Sequence, residues 1–265
     1  MIDIHHHLLW GIDDGASTVE TSLAMARMAV ADGITHVVCS PHSNAQYDYE
    51  PEAVSAQIAE LQRLLDSERI ALKLGRGCDF HMSYENIEQA QSDPARYSIN
   101  GLGYLLVELP DYGVPTGLTE VFYQMQIAGL TPILTHPERN RTLQTDQSRL
   151  LDWLRGGMLI QVTAGSVTGR MGKRAQKMAH ELLANRWVHF LATDAHNTTS
   201  RPPQMRDAFE AVAKKYGPDY AHLLCISNPL AAFMGKPMPP QLEPLNLYVE
   251  YKEKSWWQRM RERLS

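Results

Sequence analysis

Residues 1–15, MIDIHHHLLWGIDDG, place three histidines between apolar residues at the start of the chain. The apolar residues on either side predict a buried strand that runs into a loop, whereas an expression tag is usually a longer run outside the fold. Along a strand, alternate side chains point to opposite sides, so His5 and His7 share one side and His6 lies on the other. The His5 and His7 pair therefore predicts a metal site at the end of a first strand.

The same alternation of a short apolar run and a helical pattern continues along the chain. Seven strands are predicted, at residues 2–5, 36–40, 71–75, 104–108, 132–136, 158–163 and 188–193. Amphipathic segments between them predict helices, among them residues 20–31, 51–65, 118–128 and 173–185. Alternating strands and helices indicate an α/β protein with a parallel sheet, either a closed TIM-like barrel or an open doubly wound sheet.

Histidines and carboxylates lie at or just after the end of nearly every predicted strand. They are His5, His7, His42, Asp79, Glu108, His136, Asp194 and His196. A closed barrel brings all of its strand ends to one mouth, where enzymes of this fold build their active sites. An open sheet would spread the same side chains along a line. The positions of these residues therefore favour the closed barrel.

Composition and charge exclude several classes of protein. A formal net charge of -5 gives no electrostatic reason to expect nucleic-acid binding. No apolar run approaches the roughly 20 residues that a transmembrane helix needs, and no signal-peptide pattern precedes the first predicted strand. These observations predict a soluble protein of the cytoplasm.

The three cysteines, Cys39, Cys78 and Cys225, are odd in number and far apart in the sequence. This pattern argues against a disulfide framework and fits a reducing compartment. None of the three is followed by an arginine six positions later, as the nucleophile of a cysteine-dependent phosphatase would be. Phosphatase chemistry in this chain would therefore need something other than a thiolate.

The candidate ligands indicate the kind of metal. Imidazoles and carboxylates without thiolates suit a borderline divalent ion such as Mn, Fe or Zn. Asp13 and Asp14 in GIDDG both fall where a further carboxylate is needed, which brings the set to about nine ligands. Nine ligands exceed what one ion can use, so two or three ions that share carboxylates are predicted. Such a centre promotes hydrolysis by activating water and clamping a phosphate or carboxylate.

Two arginines follow the candidate ligands closely. Arg139 lies three residues after His136, and Arg201 lies five residues after His196. A guanidinium can bind two phosphate oxygens at once, which a lysine cannot do. Two arginines beside metal ligands therefore predict a phosphorylated substrate rather than an uncharged amide.

Six motifs occur in an order that resembles a known family. DIHHHLLWGIDDG, SPH, VELP, THPER, QVTAGSV and TDAHNTTSRPPQM are similar to the polymerase and histidinol phosphatase (PHP) superfamily. The resemblance is to its bacterial tyrosine-protein phosphatase branch, which acts with the tyrosine kinases of capsule and exopolysaccharide synthesis. It covers residues 1 to about 235 and implies a distorted TIM-like (β/α)7 barrel with a trinuclear centre, usually manganese, at its mouth.

The resemblance also implies a role for each matching residue. His5, His7, Asp79 and Asp194 would hold one ion; Asp79, Glu108 and His136 a second; Asp14, His42 and His196 a third. Arg139 and Arg201 would bind the substrate phosphate, and Asp194 or His196 would help move a proton to the leaving phenolate. The implied substrate is a phosphotyrosine protein, in particular a bacterial tyrosine kinase that controls capsule or exopolysaccharide synthesis.

Two departures from the family pattern stand out. Relatives often carry DIHSH where this chain has DIHHH, and they commonly carry Glu at the bridging position occupied by Asp79. The shorter side chain could change the metal spacing. Two alternative functions therefore stay open: a PHP phosphoesterase acting on a small ester such as histidinol phosphate or on nucleic acid, and a non-catalytic regulator that binds a kinase.

The C-terminal residues 236–265 lie outside the predicted barrel of residues 1–235. They begin with a proline-rich linker and end in a short basic and aromatic helix pattern that includes Trp256, Trp257 and Arg259. Such an end either contacts an anionic surface or partner, or packs back on the barrel. The sequence leaves the oligomeric state open.

Overall fold

The computed structural model describes residues 1–110 and 113–248. In this part of the chain, every strand pair is parallel. The strands are β1 (Ile2–His6), β2 (His36–Cys39), β3 (His42–Ser43), β4 (Lys73–Arg76), β5 (Asp79–His81), β6 (Tyr104–Glu108), β7 (Thr131–Thr135), β8 (Leu159–Thr163) and β9 (Phe190–Ala192).

Helices connect the strands and follow the last one. They are α1 (Val19–Ala31), α2 (Pro51–Ser67), α3 (Tyr84–Ser92), α4 (Pro94–Tyr97), α5 (Leu118–Ile127), α6 (Arg141–Thr145), α7 (Ser148–Arg155), α8 (Ala164–Val167), α9 (Lys173–Ala184), α10 (Arg206–Tyr216), α11 (Pro218–His222) and α12 (Asn228–Phe233). Short 3₁₀ turns occupy Ile99–Gly101 and Pro137–Arg139, and a π-helical turn occupies Leu223–Ser227.

All seven predicted strands and the four predicted helices are confirmed, with boundaries that move by a few residues. Two short strands, β3 and β5, were not predicted. Each follows a break in the strand before it, because Pro41 lacks an N–H to donate and Gly77 and Cys78 separate β4 from β5. His42 and Asp79, which were predicted to follow strands, therefore lie at the start of these extra strands.

The strands form two parallel sheets instead of one continuous sheet. The smaller sheet has the order β1-β2-β4, and the larger has the order β3-β5-β6-β7-β8-β9. Backbone hydrogen bonds link the two: the Asp194 N–H donates to the His5 carbonyl, and the His7 N–H donates to the Ala195 carbonyl, both at 2.9 Å. The chain is thus a mixed α/β fold in which the last strand of the larger sheet meets β1.

The apolar side chains separate into two clusters because alternate strand residues face opposite sides. Leu105 and Val107 of β6 belong to the larger cluster, which lies between the strands and the surrounding helices. Tyr104 and Leu106 belong to the smaller cluster on the other face, which α12 closes with Phe233. Strands buried on both faces form a rigid frame, and their ends carry the polar residues described below.

Side-chain caps fix where several helices near the strand ends begin. Thr18 accepts a hydrogen bond from the Thr21 N–H at the start of α1, and Ser83 accepts one from the Asn86 N–H at the start of α3. Asn140 accepts from two backbone N–H groups of α6. Such caps satisfy donors that have no partner inside the helix.

Residues 234–248, which follow α12, form an irregular segment that packs against the rest of the fold. The Trp187 indole donates to the Leu245 carbonyl at 2.9 Å, and Arg155 donates to the Leu247 carbonyl at 2.9 Å. Residues 249–265, with the predicted basic and aromatic helix, lie outside the described residues. Among the helices of residues 1–110 and 113–248, none has the length and apolar character to cross a membrane.

Candidate metal centre

His5 and His7 lie side by side at the end of β1 with their Nε2 atoms 3.3 Å apart. A hydrogen-bond partner orients each ring from the other nitrogen. His5 Nδ1 is 3.0 Å from Gln161 Oε1, and His7 Nδ1 is 2.7 Å from Asp13 Oδ2. Occupied Nδ1 atoms leave both Nε2 atoms free to bind a metal, the arrangement commonly found for metal-binding histidines.

The structure separates the roles of the two adjacent aspartates. Asp13 accepts hydrogen bonds from His7 Nδ1 and from the Gly15 N–H, so it orients a ring. Asp14 Oδ1 instead lies 3.3 Å from both His42 Nε2 and His196 Nε2. This position supports Asp14, rather than Asp13, as the candidate ligand.

Asp79 lies at the centre of the group. It is fully buried, and its Oδ2 atom is 3.4 Å from His5 Nε2 and 3.2 Å from His42 Nδ1. Glu108 lies beside it, with 3.7 Å between Glu108 Oε2 and His42 Nδ1 and 3.5 Å between Glu108 Oε1 and His136 Nε2. The shorter aspartate side chain therefore still reaches two imidazoles on different strands.

The two oxygens of Asp194 face different partners. Oδ1 is 3.4 Å from His5 Nε2, 3.5 Å from His7 Nε2 and 3.6 Å from His196 Nδ1. Oδ2 accepts hydrogen bonds from both Arg139 and Arg201. One carboxylate thus joins the histidine cluster to the two arginines that the sequence analysis singled out.

All nine candidate ligands fall into overlapping groups whose nitrogen and oxygen atoms lie within 4.8 Å of one another. The groups are His7, Asp14, His42 and His196; His5, Asp79 and His136; His5, His7 and Asp194; and His42, Asp79 and Glu108. Ligand atoms about 2.0 to 2.2 Å from one ion are themselves roughly 3 to 3.5 Å apart. The measured separations therefore have the size that shared ions would require, and His6 belongs to none of these groups.

Several buried polar atoms of the cluster approach one another, as His42 Nδ1 and Asp79 Oδ2 do at 3.2 Å, but lack hydrogen-bond geometry among the described residues. They include both carboxylate oxygens of Asp79, His42 Nδ1 and His196 Nε2. A buried polar group without a partner is costly, and native proteins rarely leave one unpaired. Unpartnered carboxylate and imidazole atoms that converge on one place fit divalent cations, and this donor set contains no thiolate.

The electrostatics of the cluster indicate the same need for positive charge. Burial raises the pKa of Glu108, and the charge of Asp79 adds to this, so that the pKa is about 8. Burial lowers the pKa of His5, but Asp79 and Asp194 outweigh it and raise the pKa to about 9. Protons on such imidazoles balance the carboxylates, and a bound cation would replace them because metal ligands must be deprotonated.

Sequence reasoning missed the residues that orient the ligands. Gln161 of β8 is buried and holds the His5 ring, and Asp13 was considered only as a ligand. Glu138, within THPER, is fully buried beside the site. A polar residue in an otherwise apolar strand, such as Gln161 in LIQVT, was the available signal.

Comparison with known proteins identifies relatives over most of the chain. The family model described as capsular polysaccharide synthesis, CpsB/CapC, matches residues 1–234. The tyrosine-protein phosphatase YwqE of Bacillus subtilis is 35% identical over 225 residues, which are 84% of this chain and 88% of the relative. The tyrosine-protein phosphatase CpsB of Streptococcus pneumoniae is 26% identical over 244 residues, 88% of this chain and 98% of the relative.

Solved structures agree with these matches. A chain from crystal structures of YwqE from Bacillus subtilis and CpsB from Streptococcus pneumoniae, described as metal-dependent tyrosine phosphatases, superposes with a TM-score of 0.87 at 32% identity, covering 92% of this chain and 98% of that one. The lactonase Lmo2620 from Listeria monocytogenes superposes with a TM-score of 0.59 at 11% identity, covering 89% and 95%. The second likeness concerns the fold alone.

Proposed function

The chain belongs to the CpsB/CapC family of capsular polysaccharide synthesis, and on that premise we propose that it is a metal-dependent tyrosine-protein phosphatase. One observation carries the proposal: nine ligand-type side chains converge, and Asp194 joins them to Arg139 and Arg201. This places candidate metal ligands next to candidate phosphate ligands, as a phosphomonoester hydrolase requires.

The proposed centre holds two or three divalent ions, with Mn as the preferred ion and Fe or Zn as alternatives. One set of ligands is His5, His7, Asp79 and Asp194, a second is Asp79, Glu108 and His136, and a third is Asp14, His42 and His196. The sharing of Asp79 between two of the observed groups supports its role as a bridge. When bound, divalent ions supply Lewis acidity, which polarises the phosphoryl group and makes water a better nucleophile.

Arg139 and Arg201 bind the substrate phosphate in this proposal. Both guanidinium groups are partly exposed and meet at Asp194 Oδ2. Two planar cations that converge from different loops can contact several phosphate oxygens and stabilise the charge that builds up on them during transfer. The same contact keeps both side chains in place before substrate binds.

The leaving group makes a modest demand on proton transfer. A tyrosine phenolate is weakly basic, so its protonation contributes less than it would for a serine alkoxide. Asp194 is a poor proton donor because Oδ1 faces three imidazoles and Oδ2 accepts from two arginines. His196 Nε2, 3.3 Å from Asp14 Oδ1, belongs to the proposed third ligand set, so it would carry no proton when an ion is bound, and the phenolate leaves without protonation by Asp194 or His196.

We propose further that the two sheets close into a distorted seven-stranded barrel, with β2 and β3 acting as one interrupted strand and β4 and β5 as another. The hydrogen bonds between the end of β9 and β1 support this closure. Closure explains why residues on six different strands or strand ends meet at one mouth.

The proposed substrate is a phosphotyrosine protein, in particular a bacterial tyrosine kinase that controls capsule or exopolysaccharide synthesis. The capsular polysaccharide description of the matching family supports this choice. The proposed location is the cytoplasm, in keeping with three free, buried cysteines.

Phosphate release from a phosphotyrosine peptide tests the proposal. The protein is stripped with a chelator and given Mn again, with a phosphoserine peptide and histidinol phosphate alongside. We expect hydrolysis of phosphotyrosine that is lost on stripping, returns with Mn and survives thiol alkylation. The last result is expected because burial raises the pKa of Cys39 and Cys225 and keeps both thiols from reagents.

Two variants make the assay specific to the site. His5→Ala removes a buried candidate ligand, whereas His222→Ala removes an exposed histidine on α11, remote in sequence from every candidate ligand. Only the first should abolish turnover. Hydrolysis of histidinol phosphate alone would move the chain to the small-ester branch, and equal activity of both variants would refute the metal site.

A further inference from the structure

Glu138 is a buried carboxylate between two residues of the proposed site. It has no exposed surface, while Arg139 next to it reaches Asp194 and His136 two residues earlier reaches Glu108. Its backbone belongs to the single 3₁₀ turn Pro137–Arg139 that follows β7. Nothing in the proposed reaction uses this carboxylate, so its burial calls for another explanation.

The side chain of Glu138 ties this turn to the next strand. Its Oε1 atom accepts hydrogen bonds from the Thr163 N–H at 3.0 Å, at the end of β8, and from the Ser166 hydroxyl at 2.7 Å, in α8. Its backbone carbonyl accepts a third from the Gln144 side chain at 2.7 Å. Through Glu138 alone, the turn is therefore hydrogen-bonded to β8, α8 and α6.

The turn needs such support. His136 has a φ of +33°, in the left-handed region that only a few per cent of residues other than glycine adopt. Strained residues persist only where the surrounding structure fixes them. The direction in which Arg139 leaves the turn depends on that same backbone, because the Arg139 N–H donates to the His136 carbonyl at 2.9 Å.

We propose that Glu138 is a positioning residue that sets the place of the Arg139 guanidinium for phosphate binding. This inference rests on the proposed function, since it gives Arg139 a phosphate to bind. Glu138 acts through the backbone of the turn: its carboxylate anchors the turn to Thr163 and Ser166, and the anchored turn directs Arg139 toward Asp194. Loss of the anchor weakens phosphate binding without removing a metal ligand.

The test measures the KM for a phosphotyrosine peptide and, by isothermal titration calorimetry, the dissociation constant of inorganic phosphate in the Mn-loaded protein. Glu138→Ala removes the acceptor, and Glu138→Gln keeps an acceptor oxygen. We expect Glu138→Ala to raise both constants about tenfold, toward the values of Arg139→Ala, and Glu138→Gln to restore most of the loss. The metal content of all three variants should stay that of the wild type.

A double variant separates positioning from general damage. If Glu138 acts through Arg139, Glu138→Ala adds little once Arg139→Ala is present, because coupled residues are not additive. Full additivity of the two substitutions, or a loss of metal in Glu138→Ala, would overturn the proposal. If Glu138→Ala does not fold, Ser166→Ala serves instead, because it removes one of the two donors to the Glu138 carboxylate. We expect Ser166→Ala to raise the KM and the phosphate constant by a smaller factor. Unchanged constants in Ser166→Ala would contradict the proposal.

Asp32→Ala is the matched control. Asp32 also accepts two backbone hydrogen bonds, from Met205 and Arg206, and ties α1 to α10. Asp32→Ala should lower the free energy of unfolding without changing the KM for the phosphotyrosine peptide or the phosphate constant. Binding of inorganic phosphate is measured apart from turnover. A wild type that binds phosphate but does not hydrolyse phosphotyrosine would refute the proposed function. The phosphate-binding constants of the variants would then still decide the role of Glu138.

Discussion

Asp194 shows how one side chain can serve two purposes when each of its oxygens has its own set of partners. Oδ1 faces His5, His7 and His196, while Oδ2 accepts from two arginines. The positive charges around this carboxylate outweigh the effect of burial and hold its pKa well below the usual range. A permanently charged Asp194 suits a candidate metal ligand that also anchors the two arginines proposed to bind phosphate.

Asp13 offers a test of ring orientation that removes no ligand. Asp13→Asn takes away the charge that accepts the hydrogen bond from His7 Nδ1 at 2.7 Å. Loss of such a partner typically weakens metal affinity by about 10- to 100-fold. We expect a loss of this size in competition titrations with a chelator, while Asp152→Asn, an exposed carboxylate on α7, should change nothing. Because the amide oxygen of Asn can still accept this hydrogen bond, unchanged affinity in Asp13→Asn would show that the His7 ring needs no negatively charged partner.

At the scale of elements, the contact between β1 and the end of β9 depends on a buried side chain. Asp3 accepts hydrogen bonds from the His5 N–H at 3.3 Å and from the Thr193 N–H at 3.0 Å, and also from the Thr193 hydroxyl. These bonds add to the backbone hydrogen bonds between β1 and the residues after β9, while the pairing of β1 with β2 has a register shift between Asp3 and His6. The position of His5 therefore depends on a polar link between two strands that are 190 residues apart.

Removal of that link should destabilise the fold. Asp3→Ala leaves the Thr193 N–H and the hydroxyl proton of Thr193 buried without acceptors, although the hydroxyl oxygen still accepts from the Ala195 N–H, at a cost of about 2 to 4 kcal/mol in the free energy of unfolding. Denaturant titration of the metal-free protein measures it, with Asp66→Ala on the exposed face of α2 as the control. A loss below about 0.5 kcal/mol, typical of a surface substitution, would contradict the importance of this link.

His189 predicts a pH dependence of stability that is independent of the metal site. It lies just before β9, its Nδ1 accepts from the Ile160 N–H at 3.1 Å, and burial lowers its pKa to about 4. An unfolded histidine has a pKa of about 6.5, so between these values the unfolded chain binds more protons. The stabilising contribution is complete above pH 6.5 and is lost as the pH falls to 4.

His189→Asn checks this dependence because the amide keeps an acceptor for Ile160. Between pH 7 and pH 4, the unfolding free energy of the wild type should fall by more than that of the variant. The upper limit of this difference is about 3 kcal/mol, and the expected difference is smaller because the ring is partly exposed. Parallel stability curves for the two proteins over this range would show that the ring titrates normally in the folded state.

At the scale of the whole molecule, four carboxylates converge at one place among the described residues: Asp14, Asp79, Glu108 and Asp194. Four carboxylates in a largely buried site repel one another unless cations lie between them. Bound ions would therefore stabilise the fold as well as supply chemistry, since a ligand that binds only the native state adds to its stability.

Metal removal should consequently lower the melting temperature. Ions bound at about a thousand times their dissociation constant contribute about 4 kcal/mol, which corresponds to roughly 10 °C for a chain of this size. Differential scanning calorimetry of the Mn-loaded and stripped protein measures the change. Asp79→Asn should lose most of this difference, and its stripped form should melt below the stripped wild type because His5 and His42 lose the charge that faces them. Equal melting temperatures with and without Mn would argue against a centre that couples to folding.

The sequence by itself determined the local structure and the inventory of the candidate site. Apolar periodicity predicted the seven main strands, and the spacing of polar residues after them predicted eight of the nine side chains that the structure brings together; the ninth, Asp14, was preferred over Asp13 only through the family resemblance. Such predictions succeed because strand and helix periods are local, and because parallel strands place their carboxyl ends on the same side.

Only the tertiary structure decided which neighbour each polar group meets. The roles of Asp13 and Asp14, adjacent and chemically identical, depend on hydrogen bonds to His7 and His42 across a loop. The parts played by Gln161 and Glu138 depend on contacts between strands that are far apart in the sequence. A pattern along the chain fixes the side of an element on which a residue lies, but hydrogen bonds and ion pairs act over about 3 to 4 Å, a distance that only packing establishes.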